Sequence, residues 1–296
     1  MIPSGISEIP NLKSEIKLIE CPRDAMQGWK TFISTEKKIE FINQLLKVGF
    51  DTIDFGSFVS PKAIPQMADT KEVIEQLEIK NSNSKLLAII ANVRGAQEAA
   101  AFEKITYLGF PFSISPTFQM RNANSTIEAS FERVKEIKNI CDKNEKELVV
   151  YISMAFGNPY GDKYGENIVI EWIEKLAGEG IQIISLADTV GLAQPGQISS
   201  IVKKVISTFP DIETGVHLHS TNIHWKQKIE AALQNGCMRF DGALKGIGGC
   251  PMANDELVGN MDTELMIPYF KQSGYLQNIN EAELLKAGTM ASSIFI

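Results

Sequence analysis

Histidine is the scarcest ionisable residue in this chain, with three among 296 residues. Cysteine is also sparse, and the four present, Cys21, Cys141, Cys237 and Cys250, form no Cys-x-x-Cys pair. That spacing argues against a zinc ribbon, and with no secretory leader in view the thiols read as reduced cysteines of a cytoplasmic protein. The N-terminal stretch carries Pro3, Glu8, Pro10 and Glu15, which suits neither an apolar leader nor an Arg-rich amphipathic one. No apolar run approaches the ~20 residues that cross a bilayer, so no membrane partner is expected. Positive charge is in deficit. A net charge of -7 argues against nucleic acid as a partner, although a local basic funnel for an acidic metabolite stays open. Neither a Gly-x-Gly-x-x-Gly after the first strand nor a P-loop occurs, so the usual nucleotide fingerprints of an open doubly wound sheet are missing.

What the chain does have is alternation. Apolar strand-like runs at Ile16–Glu20, Thr52–Phe55, Leu86–Ala91, Phe110–Ser115, Leu148–Met154, Ile181–Leu186, Thr214–His219 and Met238–Ala243 are separated by helix-period stretches. The helical stretches are Thr35–Lys47, Asp69–Leu77, Gly95–Phe102, Ser125–Asp142, Glu166–Ala177, Gly196–Thr208 and Trp225–Gln234. Several close on glycine, as Val48-Gly49, Ala177-Gly178 and Asn235-Gly236 do. Eight strands alternating with helices predict an α/β fold, a (β/α)8 TIM barrel in one domain over residues 1–296. Additional C-terminal helices over about 261–296 are expected to pack beside or under it.

In such barrels the chemistry sits at the C-terminal ends of the strands. The seventh strand runs into Val216-His217-Leu218-His219-Ser220, and strand alternation puts His217 and His219 on one face. Two imidazoles side by side are half a metal site, or an ordinary polar pair at a strand end. Asp24, after the first strand, is placed to add a hard oxygen. Together with a side-chain amide, such a set leaves open positions on an octahedral cation. Arg23 beside it is a planar cation able to neutralise an oxyanion, or one half of a surface ion pair. Gly246-Ile247-Gly248-Gly249-Cys250-Pro251 reads as a mobile lid with a thiol at its tip, or as a tight turn with an incidental cysteine. Asp188 either orients a ligand histidine or caps the turn into the next helix. Cys21, Cys141 and Cys237 fall in apolar elements and are expected in the core. His224 is expected at the surface.

Pro22-Arg23-Asp24 with Gln27, Ser57-Phe58-Val59-Ser60-Pro61-Lys62, Asp188-Thr189-Val190-Gly191, His217-Leu218-His219, and Gly246 to Pro251 followed by Gly259-Asn260 and Glu264 resemble the 3-hydroxy-3-methylglutaryl-CoA lyase family. The correspondence covers the chain from about Ile16 to the last helix. Arg-Asp with His-x-His is shared with isopropylmalate and homocitrate synthases, whereas the Ser-Phe-Val-Ser-Pro-Lys and Gly-Gly-Cys-Pro segments are the specific part. The resemblance implies a divalent cation, Mg²⁺ or Mn²⁺, on Asp24, His217, His219 and Asn260. It implies that Arg23 stabilises an enolate, that Cys250 acts from its loop, and that Asp54, Asp188 and Glu264 support catalysis. Arg23, Gln27 and Ser57 would meet the substrate, a CoA thioester cleaved to acetyl-CoA and acetoacetate, in a homodimer. The chain departs from the family at Asp54 (family Glu), at Ser115-Pro116 (family Ser-Glu), around Ser153 to Tyr160, and at Ser220 to Trp225. These positions bear on the acyl group and CoA rather than on the ligand set. A condensing acyltransferase joining acetyl-CoA to a 2-oxo acid is the competing enzyme reading, disfavoured by the short stretch after Asn260. A barrel that binds without turnover is the third.

Overall fold

Eight parallel strands pair in sequence order and the last closes on the first in the computed structural model, which describes residues 15–249, 258–276 and 278–296. They are β1 (Lys17–Glu20), β2 (Thr52–Ser57), β3 (Lys85–Ile89), β4 (Tyr107–Ser113), β5 (Glu147–Ser153), β6 (Ile183–Ala187), β7 (Glu213–His217) and β8 (Arg239–Gly242). The helices are α1 (Pro22–Gln27), α2 (Thr35–Leu45), α3 (Thr70–Glu75), α4 (Val93–Ala100), α5 (Pro116–Ala123), α6 (Ile127–Lys143), α7 (Glu166–Gly178), α8 (Pro195–Thr208), α9 (Trp225–Leu233), α10 (Thr263–Gln272) and α11 (Glu281–Ile294). The expected (β/α)8 barrel is the fold. Strand alternation splits the apolar residues into two populations. Leu87, Tyr107, Val149, Tyr151 and Ile183 pack together inside the barrel. Their neighbours of opposite parity, Ala88, Leu108, Val150 and Ile184, join the larger core under the helices. Cys21, Cys141 and Cys237 are buried, as their apolar settings predict.

Several elements differ from the sequence expectation, each for a local reason. β4 starts at Tyr107 rather than Phe110, because its ladder to β5 already begins at Tyr107 opposite Glu147. Two short helices, α1 and α5, occupy stretches read as connections. Proline stands at the first position of both, where its missing N–H costs nothing and its fixed φ favours the helix. For α5, Ser115 Oγ accepts from Phe118 N at 3.2 Å, and Asn124 ends the helix in the left-handed conformation at φ 46°. The Asp162 carboxylate, from the loop after β5, accepts from Thr117 N at 3.0 Å, from Thr117 Oγ1 at 2.8 Å and from Ser115 Oγ. Burial raises the Asp162 pKa, but these hydrogen bonds outweigh it and lower the pKa below the usual value. The departure at Pro116 is thus met by an acid from another loop, seated on a helix N-terminus.

The C-terminal helices lie beside the barrel. α11 packs on α2, and Phe295 meets Trp29 edge-on at 5.3 Å and Phe41 at 6.4 Å. The approach to α11 crosses Gly49, whose φ is +97° and where a Cβ would stand 2.4 Å from the Asn278 carbonyl oxygen. Only glycine fits that crossing.

β1 ends in Glu20, a buried carboxyl that stitches the chain ends together. Oε1 accepts from Leu244 N at 2.8 Å and Oε2 from Thr263 Oγ1 at 2.7 Å. Burial raises its pKa from 4.5 to about 8, against the pull of those hydrogen bonds. The folded state therefore holds this proton through a pH window in which the unfolded chain has lost it, and stability falls as pH rises across that window. Glu20→Gln is expected to gain stability relative to the unsubstituted protein between about pH 5 and about pH 8. Urea unfolding at the two pH values measures this, and parallel pH dependence in both proteins would contradict it.

Candidate active site

The strand ends open onto a cavity of about 530 Å³, walled by residues from around the barrel. Arg23, Asp24, His217 and His219 line it together with Tyr151, while Arg121 and Arg133 stand on its α5–α6 side. α1 follows directly on β1, and its first turn carries Arg23 and Asp24 across the mouth.

Arg23 is not a surface ion-pair partner. It is 8 % exposed, and its guanidinium lies between two buried acids. Nε and Nη2 donate to Asp54, the latter at 2.6 Å, and Nη1 donates to Asp24 Oδ1 at 2.9 Å. Asp54, one methylene shorter than the glutamate of the family pattern, still reaches. Burial raises the Asp54 pKa to about 6, with Arg23 opposing. Asp24 experiences the same burial, but Arg23 and the two histidines hold its pKa down at about 2. Its remaining contacts are Gln27 Nε2 at 2.7 Å, Asn260 Nδ2 at 2.7 Å and Gly249 N at 3.3 Å.

The two histidines show how the centre is oriented. His217 Nδ1 sits 3.0 Å from Asp241 Oδ2, and His219 Nδ1 sits 3.2 Å from the Gly259 carbonyl oxygen. A carbonyl oxygen only accepts, so His219 carries its hydrogen on Nδ1, and the carboxylate selects the same tautomer for His217. The lone pair of each ring is then on Nε2. The rings stand 5.1 Å apart. Burial, followed by the His217 ring, lowers the His219 pKa to about 4, so it is neutral and free to coordinate. Burial opposes charge on His217 too, but Asp241 and Asp24 outweigh it and raise its pKa.

The residues present suit a divalent cation. Asp24, Asp54 and Asp241 are each at most 6 % exposed; Arg23 faces the first two, and Asp241 faces His217. Buried carboxylates gathered this closely are costly unless positive charge faces them. Asn260 commits its amide nitrogen to Asp24 and to the Ile247 carbonyl at 2.9 Å, so Oδ1 is the atom it has for a cation. Cys21, His217 and Asp241 also bring donor atoms within 4.8 Å of one another. In that group the His217 Nδ1 hydrogen is directed at Asp241, so Asp241 holds the ring rather than seating an ion.

The expected residues divide clearly. Arg23, Asp24, His217, His219 and Asn260 come together, with Asp54 and Gln27 bonded to them. Ser57 lines the cavity, and its Oγ has no hydrogen-bond partner among the described residues. Glu264 does not line the cavity; its carboxylate pairs with Lys245 at 2.9 Å, one residue before the glycine-rich segment. Asp188 does not orient a histidine ring. Its Oδ1 accepts from Ala193 N at 2.9 Å and its Oδ2 from Lys228 Nζ at 2.8 Å, so it braces a loop and an ion pair. Cys250 lies outside the described residues. Sequence reading missed Asp241, which performs the orienting expected of Asp188. The signal for it was a carboxylate inside β8, two residues from Arg239 and therefore on the same face of the strand. Lys228, a cation among the buried positions of α9, was missed as well. His219 also lies beyond β7, which ends at His217.

A closed barrel with ionisable groups converging at its C-terminal mouth defines a barrel enzyme. The comparisons make the class specific. A sequence model of the HMGL-like family matches residues 16–291, and the chain belongs to that family as a carbon–carbon lyase. It is 32% identical over 285 residues to the mitochondrial hydroxymethylglutaryl-CoA lyase of Mus musculus, covering 95% of this chain and 86% of that one. A hydroxymethylglutaryl-CoA lyase of Bacillus subtilis (strain 168) is 32% identical over 269 residues, covering 90% and 88%. Among solved structures, an HMG-CoA lyase from Acinetobacter baumannii in complex with coenzyme A and 3-methylmalate superposes with a TM-score of 0.87 at 32% identity, over 95% of this chain and 91% of that chain.

Gly248 offers a test of the geometry. Its φ is +113°, and a Cβ there would stand 2.4 Å from Asn260 Nδ2 and 3.0 Å from Asp24 Oδ2. Gly248→Ala is expected to push these two apart and raise the Kd for Mn²⁺ by about 10-fold or more, as loss of supporting contacts does at metal sites. Titration followed by the electron paramagnetic resonance of free Mn²⁺ measures it. An unchanged Kd would contradict the placement of Asn260.

Proposed function

We propose that this protein cleaves 3-hydroxy-3-methylglutaryl-CoA to acetyl-CoA and acetoacetate, with a divalent cation, Mg²⁺ or Mn²⁺, on Asp24, His217, His219 and Asn260. The observation that carries this is the convergence of Asp24, His217 and His219 with Arg23 on one cavity, with Asn260 bonded to Asp24 behind them. The relatives named above are lyases of this substrate. When bound, the cation would polarise the substrate's 3-hydroxyl and favour loss of its proton.

The chain's own groups account for the rest. Arg23 has five N–H donors, of which three are turned to Asp54 and Asp24. The remaining two, one on each terminal nitrogen, are not committed to those acids, and Arg23 lines the cavity, which suits it to the thioester oxygen as it takes on enolate charge. Because two carboxylates fix the guanidinium beforehand, that charge is met without reorganisation. Asp54 and Gln27 are positioning residues in this reading, one for Arg23 and one for Asp24. Cys250 would deliver a proton to the enolate carbon, and Glu264 supports its loop through Lys245. The free Ser57 hydroxyl is a hydrogen-bonding group for the acyl portion. Arg121 and Arg133 give the wall two cations for the phosphates of CoA, and Arg121 is steadied 4.7 Å above the Tyr160 ring.

A coupled assay for acetyl-CoA release tests the reading. Cleavage is expected with Mg²⁺ or Mn²⁺ and is abolished by EDTA. Arg23→Met should lower kcat by about 10²–10³-fold, the usual effect of removing an oxyanion donor, while Mn²⁺ still binds. No cleavage by Mn²⁺-saturated enzyme would contradict the substrate assignment.

A further inference from the structure

His219 is the ligand that the barrel itself does not hold. β7 ends at His217, its pairing with β8 ends at Val216, and its pairing with β6 ends at His217 opposite Ala187. Beyond that point the sheet offers no ladder. Leu218 and His219 continue over the mouth, and one side is met by an isolated antiparallel bridge between His219 and Asn260.

The other side is met by α9. Lys228 Nζ, with its side chain 7 % exposed, donates to the His219 carbonyl oxygen at 2.7 Å, to Asp188 Oδ2 at 2.8 Å and to the Gly191 carbonyl oxygen at 3.2 Å. All three ammonium hydrogens are thereby used. Asp188 also meets the strand end through its own backbone, its N donating to the His217 carbonyl oxygen at 2.9 Å. Asp188 Oδ1 is anchored in turn by Ala193 N. The carbonyl groups of His217 and His219 are therefore held by the backbone of Asp188 and by its buried ion-pair partner Lys228.

We propose that Lys228 is a positioning residue for the cation centre: with Asp188 it replaces the missing sheet ladder and fixes the backbone from which His219 aims Nε2. This rests on the cation reading above, but not on the identity of the thioester. A lysine at this place combines three donors with a stem long enough to reach from a helix axis to a strand end, which a neutral amide cannot do. The ion pair also leaves no uncompensated charge behind, because Asp188 and Lys228 are both buried and neutralise each other.

The binding test uses the full chain and Mn²⁺ alone, and the kcat comparison adds 3-hydroxy-3-methylglutaryl-CoA. Lys228→Met removes the donors and strands the Asp188 charge, so part of its effect will be on folding. The double variant Lys228→Met with Asp188→Asn restores neutrality, and its thermal midpoint should recover toward that of the unsubstituted protein. Lys228→Arg keeps the charge and the donors. Expected is a rise in the Mn²⁺ Kd of about 10–100-fold in the folded double variant and a smaller rise in Lys228→Arg, the range typical of second-layer partners at metal sites. In the double variant, kcat at saturating Mn²⁺ should fall far less than the Mn²⁺ affinity does. A Kd within twofold of the unsubstituted protein in the folded double variant would overturn the proposal, because a purely structural pair would show that result. Absence of Mn²⁺ binding in the unsubstituted protein would overturn it together with the cation reading. One-to-one Mn²⁺ binding sensitive to Lys228, without cleavage of 3-hydroxy-3-methylglutaryl-CoA, would support it and sink the substrate assignment alone.

Discussion

A neutral imidazole has one lone pair, and the centre depends on where His217 and His219 direct theirs. Each ring points Nδ1 at an acceptor, the Asp241 carboxylate for one and the Gly259 carbonyl for the other. Nε2 then carries the lone pair of both rings and is the atom each has for the proposed cation. Without those two acceptors the same histidines could present either nitrogen, and a His-x-His pair would be only a pair of polar side chains. The selection is made by elements distant in sequence: β8 supplies Asp241, and the segment after the glycine-rich loop supplies Gly259 and Asn260.

The second constraint is charge. Asp24 and Asp54 are buried on either side of the Arg23 guanidinium and Asp241 is buried against His217, and buried carboxylates survive only if something positive or hydrogen-bonding faces them. Asp54 shows the tension, its pKa raised to about 6 by burial even beside Arg23. Asp24 shows the relief, held at about 2 by Arg23 and the histidines. An arrangement this acidic is poorly built for stability, where an apolar replacement would serve as well or better. It is well built for a divalent cation and a substrate whose reaction generates negative charge.

Much of this was legible in the sequence. The strand and helix periods, the glycines after helices and the absence of nucleotide fingerprints led to the barrel. Reading the strand ends led to Arg23, Asp24 and the histidine pair, and the Gly-Gly-Cys-Pro and Asn260 segments led to the lyase family. Less was legible where a side chain's partner comes from another strand or helix. Asp188 and Asp241 are both acids on barrel strands or their ends, and local sequence cannot say which one a histidine ring will meet. Register decides it: Asp241 faces His217 from the adjacent strand, while Asp188 is drawn to Lys228 on α9. Lys228 carried no signal within the Trp225–Gln234 helix period, because its three acceptors lie in the loops after β6 and β7. Glu264 was expected at the site and instead pairs with Lys245, since α10 presents it to the turn before Gly246.

A crystal structure with Mn²⁺, phased on the metal's anomalous scattering, tests the centre most directly. One peak is predicted, bonded to Asp24, to Nε2 of both His217 and His219, and to Asn260 Oδ1, with Asp241 still on His217 Nδ1. A peak on the other edge of the His217 ring, between Cys21 and Asp241, or no peak at the barrel mouth, would contradict this assignment of the lone pairs and the function built on it.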